Sequence, residues 1–235
     1  MLKRFYALNL FKSKISLFIS SLDPFLESSF SHNCLWYSSS FLTVFPSSDD
    51  FVFDDECFKF ALRARLLASP PIGVCSCCGY SELDAYHSLN CRVTSKLRTN
   101  RHDAVKDLLA ANLSEAIVEK PFVFGAKELV LDIVCEKIGI DVTVVGGHGH
   151  SPEVDFAHGF NVKMRKYRCL VPGFLSCVVP LVFSVSGGLF KSTIDRLKSL
   201  GLSNWCETIS CLLVKWGFKC NVGYWKVVGL KRGLA

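Results

Sequence analysis

The tightest constraint on the fold is a run of β-rich segments separated by very short gaps. Pro121 to Phe124, Leu129 to Val134 and Ile138 to Val145 follow one another within 25 residues, each β-rich and of strand length. A helical stretch comes next, opened by Ser151-Pro152-Glu153 with a capping serine, proline at the first helical position and an acid in the first turn. Val171-Pro172-Gly173 is expected to stop it. Val178 to Val185, bounded by Ser186-Gly187-Gly188, is a fourth run of strand length, and helices are expected around residues 189–200 and 203–217. Upstream, Phe58, Leu62, Arg65 and Leu66 recur at helical spacing until Ser69-Pro70-Pro71. Asn100-Arg101-His102-Asp103 reads as a helix start capped by Asn100, with Val105, Leu108, Leu109, Asn112 and Ala116 as its inward stripe. Helix, three strands, helix, strand and helices predict an α/β (α+β) chain with helices over a mixed sheet.

Composition narrows the class. Half of the 235 residues are apolar, too many for a disordered chain and enough for one domain with an appendage or two small domains. The net charge of +6 permits a nucleic-acid or acidic partner without demanding one. No run reaches the eighteen or so apolar residues of a membrane span. Residues 1–22 carry four basic groups and no acid, the composition of a mitochondrial-type presequence or a weak secretory signal. No small-residue cleavage site follows cleanly, so an arbitrary start to a truncated frame is the preferred reading.

Twelve cysteines are scattered apart from one cluster, which is not the spacing of a small secreted disulfide scaffold and points to a reducing, intracellular compartment. The cluster carries chemistry. Cys75 and Cys78, then His87 and Cys91, read as C-x2-C-x8-H-x3-C, a zinc knuckle in about 17 residues with Gly79 giving the tight turn after the second thiolate. Cys77 competes with Cys75 and Cys78 for a place. Four filled positions favour a structural Zn²⁺. His148 and His150, in a glycine loop, read as solvated rather than ligating.

A second constellation lies in the strands. Period two puts Asp132 on the face of Val130 and Val134, and Asp141 on the face of Thr143. A tight turn at Glu136-Lys137 would pair residue 135 with 138 and hence Asp132 with Asp141. Two carboxylates so close repel unless a cation lies between them, and oxygen-preferring Mg²⁺ is the natural one. In the following helix Phe156, Phe160, Lys163, Tyr167, Leu170 and Phe174 form one stripe. Lys163 there needs anionic company, unless it snorkels to water. Arg165, Lys166 and Arg168 form a neighbouring basic face, suited to phosphates.

These motifs, in this order, resemble the C-terminal region of non-LTR retrotransposon polyproteins that carry a zinc knuckle and a restriction-like endonuclease. The resemblance runs from about residue 30 to the end. It is carried by Phe58 to Arg65 (FKFALRAR), the Cys75/Cys78/His87/Cys91 cluster, Arg101-His102-Asp103, Glu119 with Pro121, Leu131-Asp132-Ile133, Ile140 to Val145, Lys163 with Tyr167, and Val179 to Phe183 with Gly187-Gly188. It implies a PD-(D/E)xK fold over residues 93–235, preceded by a knuckle at 73–92, a connecting helix at 51–72 and a remnant or linker at 1–50. It also implies Mg²⁺ on Asp132 and Asp141, Lys163 as the migrated catalytic lysine because Thr143 occupies the usual place, and Tyr167 beside it. His102, Asp103 or Glu119 would add to the first-helix end. Arg101, Arg165, Lys166 and Arg168 would meet nucleic acid. The implied partners are double-stranded DNA, nicked to prime reverse transcription, and the element's RNA, in the nucleus or cytoplasm. The sequence departs from the family where Val130-Leu131 replaces a basic residue and proline before the first aspartate. A decayed, inert copy and an unrelated globular interaction protein are the alternative readings.

Overall fold

In a computed structural model, residues 17–18, 20–22, 24–43, 52–66, 75, 77–79, 87–146, 150–170 and 175–228 are described. Their helices are α1 (Pro24–Asn33), α2 (Asp55–Arg65), α3 (His87–Asn90), α4 (Ser95–Ala110), α5 (Pro152–Tyr167), α6 (Lys191–Ser199) and α7 (Cys206–Val228). The strands β1 (Ala116–Phe124), β2 (Lys127–Cys135), β3 (Ile138–Val145) and β4 (Cys177–Ser184) form one sheet in the order β1-β2-β3-β4. The first three are an antiparallel meander, and β4 joins parallel to β3 after the α5 crossover. The architecture is mixed α+β, a four-stranded mixed sheet flanked by helices, as the element order predicts. None of the described helices is long and apolar enough to cross a membrane.

Val105 and Leu109 of α4 pack on Ile133, Ile140, Val142 and Leu181 of the sheet, with Leu197 of α6 and Ile209 and Leu213 of α7 completing the main core. Each such fully buried aliphatic side chain contributes about 1.5–3 kcal/mol. The other face of the sheet takes α5. Gly159 is needed there, because a Cβ would stand 2.9 Å from Val145 Cγ1 and 3.4 Å from Thr143 Cγ2. Ser151 caps α5 by accepting from the Val154 amide, with Pro152 in the first turn.

Several local expectations need correction. The helix expected to start at Asn100 starts at Ser95, because a 3-10 turn (Arg92–Thr94) feeds the chain directly into it. Thr94, at the cap position, donates its hydroxyl back to the Ser88 and Cys91 carbonyls. Asn112 therefore lies beyond the helix and is exposed, while Ala116 opens β1. In α2 the stripe of Phe58, Leu62 and Leu66 is the exposed one. Cys57 and Ala61 are buried instead, since small side chains let the helix approach Phe41, Cys211 and Val214. In α5 the most buried residues are Pro152, Asp155, Gly159 and Tyr167, with Phe156 and Phe160 half-buried at the flank. The last helix runs to Val228 rather than 217. Residues 24–42, expected within a remnant or linker, are a helix and a 3-10 turn on the core, joined to it by the Trp36–Leu189 bridge. Ser69-Pro70-Pro71, His148, Val171-Pro172-Gly173 and Phe174 lie outside the described residues, as do most of residues 1–22.

Candidate active site and metal centre

The Cys/His cluster assembles from two short segments. Cys75 and Cys78 flank a tight turn in which the Gly79 amide donates to the Cys75 carbonyl and Gly79 takes φ +73°. His87 and Cys91 bracket α3. Ligand atoms of Cys75, Cys78, His87 and Cys91 all lie within 4.8 Å of one another. Tetrahedral zinc places two thiolate sulfurs about 3.8 Å apart, and a sulfur and an imidazole nitrogen about 3.6 Å apart. The Cys75–Cys91 sulfurs are 3.8 Å apart, and Cys78 Sγ is 3.6 Å from His87 Nε2. The donor set and its spacing thus fit zinc. Cys77 is not a member, since its sulfur accepts from Arg92 Nε at 3.1 Å. Burial pushes the Cys75 thiol up, but the polar groups gathered around it, the Tyr224 hydroxyl, the Cys77 and Cys78 amides and His87, outweigh it and bring it to about 6. Burial and the neighbouring Cys75 hold Cys91 up at about 12. All twelve cysteines are free thiols.

The second site lies where the sheet is least regular. The β2–β3 register is the expected one, with Cys135 opposite Ile138, but the ladder ends at Ile133–Ile140. The expected Asp132–Asp141 pair is therefore not made; Asp132 Oδ2 instead accepts the Val142 amide at 2.7 Å. Strict alternation fails as well. Leu131 and Val134, three residues apart, share one apolar cluster with Tyr167 and Leu170, while Asp132 reaches His102 of α4, Nε2 to Oδ2, at 3.0 Å. On the β1 side Glu119, which the β1–β2 register sets opposite Asp132, has φ +52° and drops out of the ladder. Non-glycine residues in this conformation collect where function overrides local preference.

Asp141, 1% exposed, points toward α5. Lys163 Nζ lies 2.7 Å from its Oδ2, so the lysine has the anionic company its position demands. The Tyr167 hydroxyl is 2.6 Å from Asp141 Oδ1 and 2.7 Å from the Val130 carbonyl, and it accepts from Lys166 Nζ at 2.7 Å. Burial, then the charge of Asp132, raise the Asp141 pKa, with Lys163 and Tyr167 pulling against them. Burial works to raise Asp132 too, but the His102 hydrogen bond and charge and the Val142 amide leave it lowered. His102 is raised, chiefly by its hydrogen bond to Asp132. Its Nδ1 lies 3.2 Å from Asp103, which takes Lys106 at 3.3 Å; Lys106 also reaches Glu119.

The structure therefore brings Asp132, Asp141, Lys163 and Tyr167 together, and of the three first-helix candidates it is His102 that touches the site. Arg101 is not placed to meet nucleic acid. It is 2% exposed beside Cys220 and Arg98, and burial lowers its pKa to about 10. Arg165 and Arg168 remain exposed and line an open groove of about 710 Å³ that reaches Tyr167. Lys106 carries no periodic signal that marks it as buried. His32 was also missed. It pairs with Asp155 at 3.2 Å and with Ser184 Oγ at 2.9 Å. The set resembles a hydrolytic triad in composition but is sealed from solvent, with Ser184 and His32 no more than 1% exposed, so it fastens α1 to α5. Asp155 carries no sequence signal beyond its place in the first turn of α5. No protein-family model matches the chain, and no curated protein matches it.

Proposed function

We propose that the chain is a metal-dependent DNA endonuclease of the restriction-like class, derived from a retroelement and carrying a structural zinc knuckle. One observation carries this reading: Asp132 and Asp141 flank the fork where β2 and β3 part, and Lys163 and Tyr167 converge on the second acid. The element order of helix, three-stranded meander, helix and parallel strand supports it. The donors are carboxylate oxygens, the type a hard divalent cation prefers, and the burial and the Asp132 charge that raise Asp141 are both offset by such a cation. Asp132 and Asp141 would hold Mg²⁺, which lowers the pKa of a bound water and steadies charge on the phosphorus. His102 and the Val142 amide orient Asp132, Tyr167 orients Asp141, and Lys163 supplies positive charge to a phosphate at the fork. Arg165 and Arg168 would track the flanking backbone of double-stranded DNA or the element's RNA, in the nucleus or cytoplasm.

A second reading rests on the same network. Asp132 already has His102 and Asp141 already has Lys163, so each acid is neutralised without a metal. That favours an inert zinc-containing nucleic-acid-binding remnant. Nicking of supercoiled plasmid by the full chain with Mg²⁺ separates the two. Cleavage lost in both Asp132→Ala and Asp141→Ala supports the nuclease. A folded, zinc-loaded and inert parent supports the remnant, and cleavage that survives both substitutions places the site elsewhere.

A further inference from the structure

The C-terminal half of α7 lies against the cysteine cluster along one face. Gly217 faces Leu89 of α3. Cys220 is fully buried with Leu89 and Val185, and Asn221 Nδ2 donates to Ser88 Oγ at 2.9 Å. Gly223 meets Leu97 of α4 with no room for a Cβ. Tyr224, 1% exposed, packs in one cluster with Cys75 and Cys91, its ring edge-on to His87 at 5.5 Å between centroids.

The hydroxyl of Tyr224 is the unexplained part. It is buried without a hydrogen-bond partner of ordinary geometry, and a hydroxyl left so costs about 1–3 kcal/mol. The buried cluster it shares with Cys75 and Cys91 offers it a sulfur as acceptor, and Cys75 is fully buried there. A zinc-bound thiolate keeps lone pairs directed away from the metal and is a charged acceptor for such a donor.

We infer that Tyr224 is a positioning residue for the metal centre: its O–H donates to the zinc-bound Cys75 thiolate, so metal loading latches the end of α7 onto the knuckle. The inference rests on the zinc reading of the cluster and extends it to a helix about 150 residues away in sequence. Outer partners of this kind fix a ligand's orientation, and losing one typically costs about 10–100-fold in metal affinity. Because α7 packs along α4, which carries His102, the latch also braces the helix that orients Asp132.

The test uses the full chain, with zinc and cobalt as probes. The parent is expected to bind one zinc. Tyr224→Phe, which keeps the ring against His87, is expected to bind it about tenfold more weakly in competition with a chromogenic chelator, and to shift the sulfur-to-cobalt charge-transfer band. Removing zinc from the parent is expected to speed amide exchange over residues 217–228 more than over Ile138–Val145. The latch is overturned if Tyr224→Phe keeps the parent's affinity and cobalt spectrum, or if exchange in α7 ignores the metal. Should Tyr224→Phe not fold, the exchange comparison on the parent decides. A parent that binds no zinc overturns the metal reading itself and the latch with it.

Discussion

The two polar centres of this chain solve opposite problems. In the cysteine cluster four donors converge, and among the described residues the nearest basic side chain, Arg92, bonds to Cys77 instead. At the β2–β3 fork the acids are already answered, Asp141 by Lys163 and Asp132 by His102. The first arrangement has the donor set and spacing to take up an ion. The second is electrostatically closed and can exist with or without one. A donor set that has no internal counter-charge is thus the stronger sign of a metal site, whereas an acidic pair with its own lysine is compatible with an occupied or an empty site.

The largest effect expected from this contrast is on the cluster. Structural zinc contributes about 10–16 kcal/mol in small metal-folded units, so Cys78→Ser should abolish zinc binding measured by elemental analysis and markedly lower the thermal midpoint. A midpoint unchanged within 1 °C or so would remove the asymmetry between the two centres. Next in size is Asp141→Ala. Removing one partner of a buried ion pair costs about 3–5 kcal/mol, and less here, about 2–3 kcal/mol, because Lys163 is a quarter exposed and partly hydrated. Urea titration measures this, and Lys163→Met combined with Asp141→Leu should recover most of the loss.

The pH dependence of the fork gives a smaller and more specific effect. His102 is raised, so its contribution is complete below about pH 6.5 and is lost as pH rises through its folded value. Asp132 is lowered, so its contribution is present above about pH 3.9 and is lost as pH falls through its folded value. The pair therefore stabilises between those limits. His102→Asn should flatten the stability profile between pH 6 and 8 by about 1 kcal/mol, read from denaturation series at both ends. A parallel slope in parent and variant would mean that the pair is not formed. The smallest effects separate buried from exposed cations. Arg168→Gln should reduce the salt slope of DNA binding by about 1. Arg101→Met should leave that slope unchanged, and stability equal or slightly higher, since its guanidinium is buried with Nε and Nη1 unpartnered.

Legibility followed the same divide. The knuckle could be read from spacing, because four donors within 17 residues leave little for tertiary structure to decide. Ile138–Val145 and the Ser151 cap were legible for local reasons, a bounded apolar run and a serine-proline start. The fork was only half legible. The turn at Glu136-Lys137 gave the register, but nothing local announces that Glu119 leaves the β1 ladder or that Asp132 takes an amide from β3. Both are agreements among three strands and a helix. The exposed stripe of α2 misled because apolar size marked one face while small residues marked the buried one. Asn100 misled because a helix already under way needs no cap.

The Val142 amide has a use beyond holding the fork together. Its proton rests on the carboxylate of Asp132 rather than on a backbone carbonyl. Its resonance in an amide correlation spectrum should therefore move whenever that carboxylate is protonated, captured by a cation or replaced. One peak, with no probe attached to the side chains of the site, would report the occupancy of the fork independently of any assay of activity.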